Sequence, residues 1–180
     1  MTSKRRCLVA AAVLAAACCA PAGGREYSAK VLFARFSPAV VKVVVFAQVS
    51  QLLGCGSGFF VSADGRVVTN YHVIDEAGTV DNIRVVVGGQ VLAVTGVRHV
   101  MAREDLALLQ VRPPRSGRLP YLALAPRPPV QGDKAFAIGY PLGLENATIT
   151  DGLINGLQRI HGFPLLQTST PISEGSSGGP

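Results

Sequence analysis

The apolar residues of this chain occur in short runs separated by turn residues, a pattern typical of β structure. Strands are predicted over residues 40–49, 59–62, 67–69, 81–87, 90–97, 106–111, 134–139 and 165–168, and residues 147–157 are predicted as strand–turn–strand. Apolar residues at helical spacing predict one short helix over residues 29–36. The glycine-rich residues 54–58 are predicted as a tight turn or bulge, and the Asp64-Gly65 pair predicts a hairpin.

These elements place the chain in the all-β class. It has no internal repeat, no alternation of helices with strands and no sustained heptad, so its short strands favour a barrel or a sandwich. Residues 113–129 are rich in proline, and we expect them to connect two halves. The predicted organisation is an N-terminal unit over residues 23–112 with a short leading helix, this connection, and a second unit over residues 130–180.

The composition agrees with a folded protein, and the first residues predict export. Of the 180 residues, 48% are hydrophobic and 16% are charged, which argues against disorder. A basic stretch at residues 4–6 precedes an apolar run over residues 7–20, which is shorter than the roughly 20 residues that span a bilayer. With small residues at its end, the segment 1–22 reads as an export signal cleaved after Ala20 or Ala22. We therefore expect a periplasmic or cell-envelope location, or secretion.

The net charge of +6 gives little support to a nucleic-acid partner. Three of the 17 Lys and Arg residues lie in the export segment, so the remainder carries 14 basic against 11 acidic residues. No patch interleaves basic with aromatic side chains, as nucleic-acid binding would require. We expect no nucleic-acid partner, and a membrane contact only through the signal or an anchor.

Cysteine usage excludes an internal disulfide framework in the mature chain. Cys7, Cys18 and Cys19 lie in the export segment, which leaves Cys55 as a single thiol. The fold must then be held by core packing. An alternative for Cys18 or Cys19 is lipid attachment after cleavage just before the cysteine, since small residues precede Cys18. The match to a lipid-attachment site is imperfect, because the large aliphatic residue, Leu14, lies one position too far upstream.

The sequence Gly-Ser-Ser-Gly-Gly-Pro at residues 175–180 is the candidate nucleophile turn. Glycines permit a sharply bent backbone whose N–H groups hold an oxyanion. Ser177 is the candidate nucleophile, and the N–H groups of Gly175 and Ser177 are the candidate oxyanion-hole donors. A flexible Gly/Ser linker is the alternative. The segment also satisfies Gly-x-Ser-x-Gly, but in α/β-hydrolases the acid and the histidine follow the serine, and here they precede it.

A serine nucleophile needs a base and an orienting carboxylate, and the chain offers both. His72 follows a predicted strand and is the best base, whereas His99 and His161 have weaker settings; the alternative for His72 is a structural core histidine. Asp105 precedes a strongly apolar strand, where a carboxylate is costly unless it is hydrogen-bonded, and a histidine N–H is a suitable donor. The alternative for Asp105 is a turn residue paired with Arg103.

No metal or cofactor is expected, because the His, Cys and Asp residues show no ligand spacing.

Five sequence blocks, in order, resemble trypsin-like serine proteases of the HtrA/Deg type. They are Gly-Ser-Gly-Phe-Phe-Val at 56–61, Thr-Asn-Tyr-His-Val-Ile at 69–74, Asp-Leu-Ala-Leu-Leu at 105–109, Gly-Tyr-Pro-Leu-Gly at 139–143 and Gly-Ser-Ser-Gly-Gly-Pro at 175–180. The resemblance implies a double six-stranded β-barrel, with the site between the barrels. It also implies peptide-bond hydrolysis through an acyl-enzyme, unfolded polypeptide substrates and an assembly that is often a homotrimer.

The chain stops three residues after Ser177, so the second barrel is expected to be incomplete here and the chain to be a fragment of a longer protein. Two other functions stay open at this point. One is a catalytically inactive fold that acts as a chaperone or binding module in the cell envelope. The other is a lipid-anchored envelope protein whose serine turn is only a linker.

Overall fold

A computed structural model describes residues 28–47, 51–114, 117–160 and 162–180. The predicted export signal and the cysteines within it lie outside these residues. The helix and strands are α1 (Ala29–Phe36), β1 (Val40–Phe46), β2 (Leu52–Phe60), β3 (Arg66–Thr69), β4 (Ile83–Val87), β5 (Gln90–Met101), β6 (Leu106–Val111), β7 (Lys134–Gly139), β8 (Thr148–Ile160) and β9 (Phe163–Thr168). The all-β prediction is confirmed, and α1, β6 and β7 have the predicted bounds.

Helix α1 begins at Ser28, whose hydroxyl accepts a hydrogen bond from the Val31 N–H at 3.4 Å. None of its residues is fully buried. Phe33 and Phe36 pack against two small clusters outside the barrel core, one of which includes Ile138 of β7, so the helix contacts both sheets. No helix in these parts of the chain is long and apolar enough to cross a membrane.

The first six strands close into an antiparallel barrel in the order β1-β2-β3-β6-β5-β4. Alternation of side chains along each strand fills the barrel, since successive residues face opposite sides of a sheet. On β6, for example, Ala107, Leu109 and Val111 are buried, while the residues between them are partly exposed. They belong to the largest hydrophobic core, which also contains Phe60 and, from β1, Val41, Val43 and Val45.

The prediction of a turn or bulge over residues 54–58 is wrong, because these residues lie within β2. Gly56 pairs with Val43, and Gly58 pairs with Val41. A Cβ at Gly58 would lie 2.9 Å from the Val68 carbonyl oxygen, so the glycine allows close approach of the neighbouring strand. The register shift lies instead at the far end of the pair, between Val45 and Phe46.

The second sheet contains three antiparallel strands in the order β7-β8-β9. The predicted strand–turn–strand over residues 147–157 is wrong, since β8 is one strand of 13 residues. The glycines that suggested a turn lie within the strand pairing. Gly152 pairs with Ala135 of β7, and the pairing of β8 with β9 has a register shift between Ile154 and Gly156. A Cβ at Gly152 would come within 2.5 Å of the Thr170 backbone nitrogen, which explains a glycine inside a strand.

The connection between the two sheets follows the barrel surface. The Leu119 N–H donates to the Ala63 carbonyl at 3.3 Å, and the Leu122 N–H donates to the Phe60 carbonyl at 2.9 Å. Both leucine side chains are buried. The architecture is thus a closed six-stranded barrel with an incomplete second barrel, and the boundaries of the units stay a prediction.

Candidate active site

His72 is placed by the end of strand β3. The strand pairs with β6 up to Thr69, the buried Asn70 follows, and His72 lies in the 3₁₀ turn Tyr71–Val73. The His72 side chain is 43% exposed. It is therefore held at the rim of the barrel and is not a core histidine.

Asp105 lies in the turn between β5 and β6 and binds His72 twice. Its Oδ2 is 2.7 Å from His72 Nδ1, and its Oδ1 accepts the His72 backbone N–H at 2.8 Å. An ionised carboxylate can only accept a hydrogen bond, so the Nδ1 atom carries the hydrogen and Nε2 keeps a free lone pair. The pair therefore presents the tautomer that a general base requires.

The backbone of Asp105 is in the left-handed region, with φ of +55°, which is uncommon for a residue that is not glycine. Its carbonyl oxygen accepts hydrogen bonds from Asn70 Nδ2 at 2.7 Å and from the Tyr71 N–H at 3.1 Å. Arg103 does not pair with it but stacks over the Phe163 ring at 5.6 Å. The conformation of Asp105 is thus fixed by the segment that carries the histidine.

Ser177 is the second residue in the second of two successive β-turns, residues 173–176 and 176–179. The Ser176 N–H donates to the Ser173 carbonyl, and the Gly179 N–H donates to the Ser176 carbonyl, both at 3.0 Å. The third residues of these turns are Gly175 and Gly178, with φ of +87° and +85°. A positive φ at that position is the mark of a type II turn and favours glycine.

Steric restrictions also require glycine at positions 175 and 178. A Cβ at Gly178 would overlap the Ser57 carbonyl oxygen and the Thr69 hydroxyl, and one at Gly175 would lie 2.6 Å from the Tyr140 carbonyl oxygen. The turn is therefore packed against both sheets. It is not an unstructured Gly/Ser linker.

The carbonyl oxygens of residues 174–177 all accept hydrogen bonds. Their donors, in order, are Leu142 N–H at 2.7 Å, Ser57 Oγ at 2.8 Å, Gly179 N–H at 3.0 Å and Ser57 N–H at 2.7 Å. In a trans peptide the N–H points opposite to the carbonyl. The Gly175 and Ser177 N–H groups, which donate to no acceptor within the described residues, are thus available for an anion.

His72 and Ser177 line one cleft of about 870 Å³ that runs between the two sheets. Residues of the nucleophile turn, Cys55 and Val73 also line this cleft. No hydrogen bond joins His72 to Ser177 within the described part of the chain. Catalytic hydrogen bonds are often long before substrate binds and tighten in the complex.

The other predicted candidates lie elsewhere. His99 is exposed on β5, paired with Leu108, and does not line the cleft. His161 lies outside the described residues. Among those described, no three His, Cys, Asp or Glu side chains cluster as metal ligands would.

Sequence reasoning missed the residues that hold the site. Ser57 is fully buried in β2 and contacts the nucleophile turn, and the Asn70 side chain binds Asp105. Each residue had one signal in the sequence. Ser57 is a polar residue between two glycines in an apolar run, and Asn70 is an amide directly after a strand. Neither pattern specifies which distant backbone group the side chain will bind.

Comparison with known proteins identifies the family of the chain. Residues 56–180 match the family described as trypsin-like peptidase domain. The chain is 36% identical over 135 residues to Protease Do-like 1, chloroplastic, of Arabidopsis thaliana, which covers 71% of this chain and 30% of that protein. It is 37% identical over 131 residues to a probable periplasmic serine endoprotease DegP-like of Chlamydia trachomatis, covering 69% and 25%.

Structural comparison gives the same result. The crystal structure of the serine endoprotease from Yersinia pestis superposes with a TM-score of 0.68 at 30% identity, over 87% of this chain and 53% of that one. The chain thus spans only a part of these relatives. It belongs to the trypsin-like serine proteases, and within them to the HtrA/Deg type.

Proposed function

We propose that this chain carries the catalytic centre of an exported serine endopeptidase that cleaves unfolded polypeptides. The proposal rests on the His72–Asp105 pair, which is joined by two hydrogen bonds and lies at the same cleft as the Ser177 turn. A turn that was only a linker would have no need of a paired histidine opposite it.

In the proposed mechanism, Ser177 Oγ attacks the carbonyl carbon of the scissile peptide bond. His72 Nε2 takes the hydroxyl proton, and the Asp105 carboxylate stabilises the imidazolium that forms. The carbonyl oxygen becomes an oxyanion and accepts hydrogen bonds from the Gly175 and Ser177 N–H groups. Each such donor contributes about 2.7–4 kcal/mol to lowering the barrier.

Collapse of the tetrahedral intermediate breaks the C–N bond. The imidazolium returns its proton to the leaving amine, and the acyl group remains as an ester on Ser177 Oγ. Water then attacks this ester with His72 as base, which releases the carboxylic acid and regenerates the hydroxyl. The residues require no metal or cofactor for any of these steps.

The substrate class is extended from the family that the chain resembles, and the location is supported by a relative and by the start of the chain. The Chlamydia trachomatis relative is named as periplasmic, and the basic and apolar start of this chain fits export. We extend to this protein the homotrimeric assembly that its family implies.

The test is digestion of a permanently unfolded protein such as reduced casein by the full-length protein, with Ser177→Ala as control. We expect fragments from the wild type and none from the variant. If both proteins leave casein intact but suppress aggregation of an unfolded client equally, the fold acts as a chaperone and the protease proposal is wrong.

A further inference from the structure

Ser57 lies on β2 against the turn that carries Ser177, and every polar atom of it is used. Its Oγ donates to the Gly175 carbonyl and accepts the Tyr140 N–H, both at 2.8 Å. Its N–H donates to the Ser177 carbonyl at 2.7 Å, and its carbonyl accepts the Thr69 hydroxyl at 2.7 Å. The residue is fully buried, so water does not compete for these bonds.

The direction of these bonds is fixed by their partners. A backbone N–H can only donate and a backbone carbonyl can only accept, so the Tyr140 N–H must bind an Oγ lone pair. The single hydroxyl proton of Ser57 is then committed to Gly175. The hydroxyl thus links the segment after β7 to the nucleophile turn.

This link lies beside the peptide that supplies one oxyanion donor. Two residues beyond Tyr140, the Leu142 N–H donates to the Glu174 carbonyl at 2.7 Å. That bond orients the Glu174–Gly175 peptide, and so it directs the Gly175 N–H away from Leu142. Gly175 has no Cβ to resist rotation of this peptide, so its orientation depends on such external bonds.

We propose that Ser57 is a positioning residue for the hydrolytic reaction. Its hydroxyl keeps residues 140–142 in register with the nucleophile turn, so that the Gly175 and Ser177 N–H groups stay directed at the developing oxyanion. This inference rests on the proposed function and adds to it a residue that touches neither substrate nor reacting atoms.

The test compares Ser57→Ala with the wild-type full-length protein on a short peptide substrate. We expect kcat per active site to fall about 100-fold with KM within about two-fold, because a displaced donor is lost only from the transition state. Active sites are counted by end-point reaction with a fluorophosphonate. A peptide boronate, which bonds to Ser177 and fills the oxyanion position, should lose affinity by the same factor.

Two variants separate positioning from stability. Val85→Ala truncates a fully buried residue of the barrel core outside the cleft and should lower stability while leaving kcat per active site unchanged. Ser57→Gly leaves room for a water between the Tyr140 N–H and the Gly175 carbonyl. We expect it to be less stable than Ser57→Ala, since glycine weakens a strand, yet more active.

Hydrogen exchange provides a readout apart from turnover. The Leu142 amide should exchange faster in Ser57→Ala than in the wild type, and no faster in Val85→Ala. The inference is overturned if Ser57→Ala keeps kcat within two-fold of an active wild type, or if boronate affinity and kcat change independently. A wild type that neither cleaves peptide nor binds boronate overturns the proposed function as well.

Discussion

Asp105 accepts two hydrogen bonds from His72, one from the ring Nδ1 at 2.7 Å and one from the backbone N–H at 2.8 Å. The second bond matters as much as the first, because it ties the carboxylate to the backbone that carries the imidazole. The ring can therefore rotate only by breaking the bond to Oδ2, while the carboxylate stays in place. Such an arrangement preserves one tautomer through repeated proton transfers.

The first prediction concerns the negative charge of the Asp105 carboxylate. Asp105→Asn keeps the size of the side chain but can donate to Nδ1, which moves the ring proton to Nε2 and removes the base. We expect kcat at neutral pH to fall by about 10⁴-fold with little change in the free energy of unfolding. The measurement is steady-state hydrolysis of a peptide substrate.

The matched control is Asp133→Asn, since the Asp133 carboxylate also accepts a backbone N–H, that of Val130 at 2.9 Å, in an exposed turn away from the cleft. We expect full activity from it. Equal activity losses in the two variants would contradict a special role for the Asp105 charge.

Asn70 tests whether the main-chain conformation of Asp105 matters. Asn70→Ala removes the 2.7 Å hydrogen bond to the Asp105 carbonyl, and Asn82→Ala removes a 2.7 Å bond to the Ala77 carbonyl elsewhere in the barrel. Each loss should lower the free energy of unfolding by about 1–2 kcal/mol. Only Asn70→Ala should also lower kcat. Urea unfolding and kinetics on both variants check this, and parallel activity profiles would contradict it.

A substitution at Gly178 tests whether the turn that carries Ser177 has the described conformation. Gly178→Ala combines a strained positive φ with overlap against Ser57 and Thr69, so we expect loss of fluorophosphonate labelling and destabilisation by more than about 2 kcal/mol. Gly156→Ala is the control, because that glycine has no atom within 4 Å of an added Cβ and no positive φ. Its melting temperature should stay close to that of the wild type. A Gly178→Ala protein that labels normally would show that the turn is not held as described.

The buried phenol of Tyr140 should make the free energy of unfolding depend on pH. Burial raises the pKa of the Tyr140 phenol above its ordinary value of 10.0, because the phenolate would lose hydration. The unfolded chain then ionises first, so this contribution to stability is complete below about pH 10 and is lost as the pH rises above it. Tyr140→Phe should lose less stability than the wild type between pH 9 and pH 11, as urea unfolding at each pH would measure. Identical losses in both proteins would contradict the assignment.

Local patterns were sufficient to predict the bounds of α1, β6 and β7, because helical spacing and a bounded apolar run each specify one element. They failed at residues 54–58 and along β8, where Gly58 and Gly152 allow close approach of neighbouring backbone and do not reverse the chain. His72, Asp105 and Ser177 could be chosen from their chemistry and order, although their catalytic roles stay a prediction. Ser57 could not, because its partners Tyr140 and Gly175 are more than 80 residues away and are brought to it only by folding.

Fluorophosphonate labelling of the full-length protein tests the central claim most directly, with the modified peptide identified by mass spectrometry. The account predicts a single label on Ser177 that is lost in His72→Ala, since the hydroxyl attacks phosphorus only when a base takes its proton. Absence of label from folded wild-type protein, or undiminished labelling in His72→Ala, would contradict a working pair of base and nucleophile.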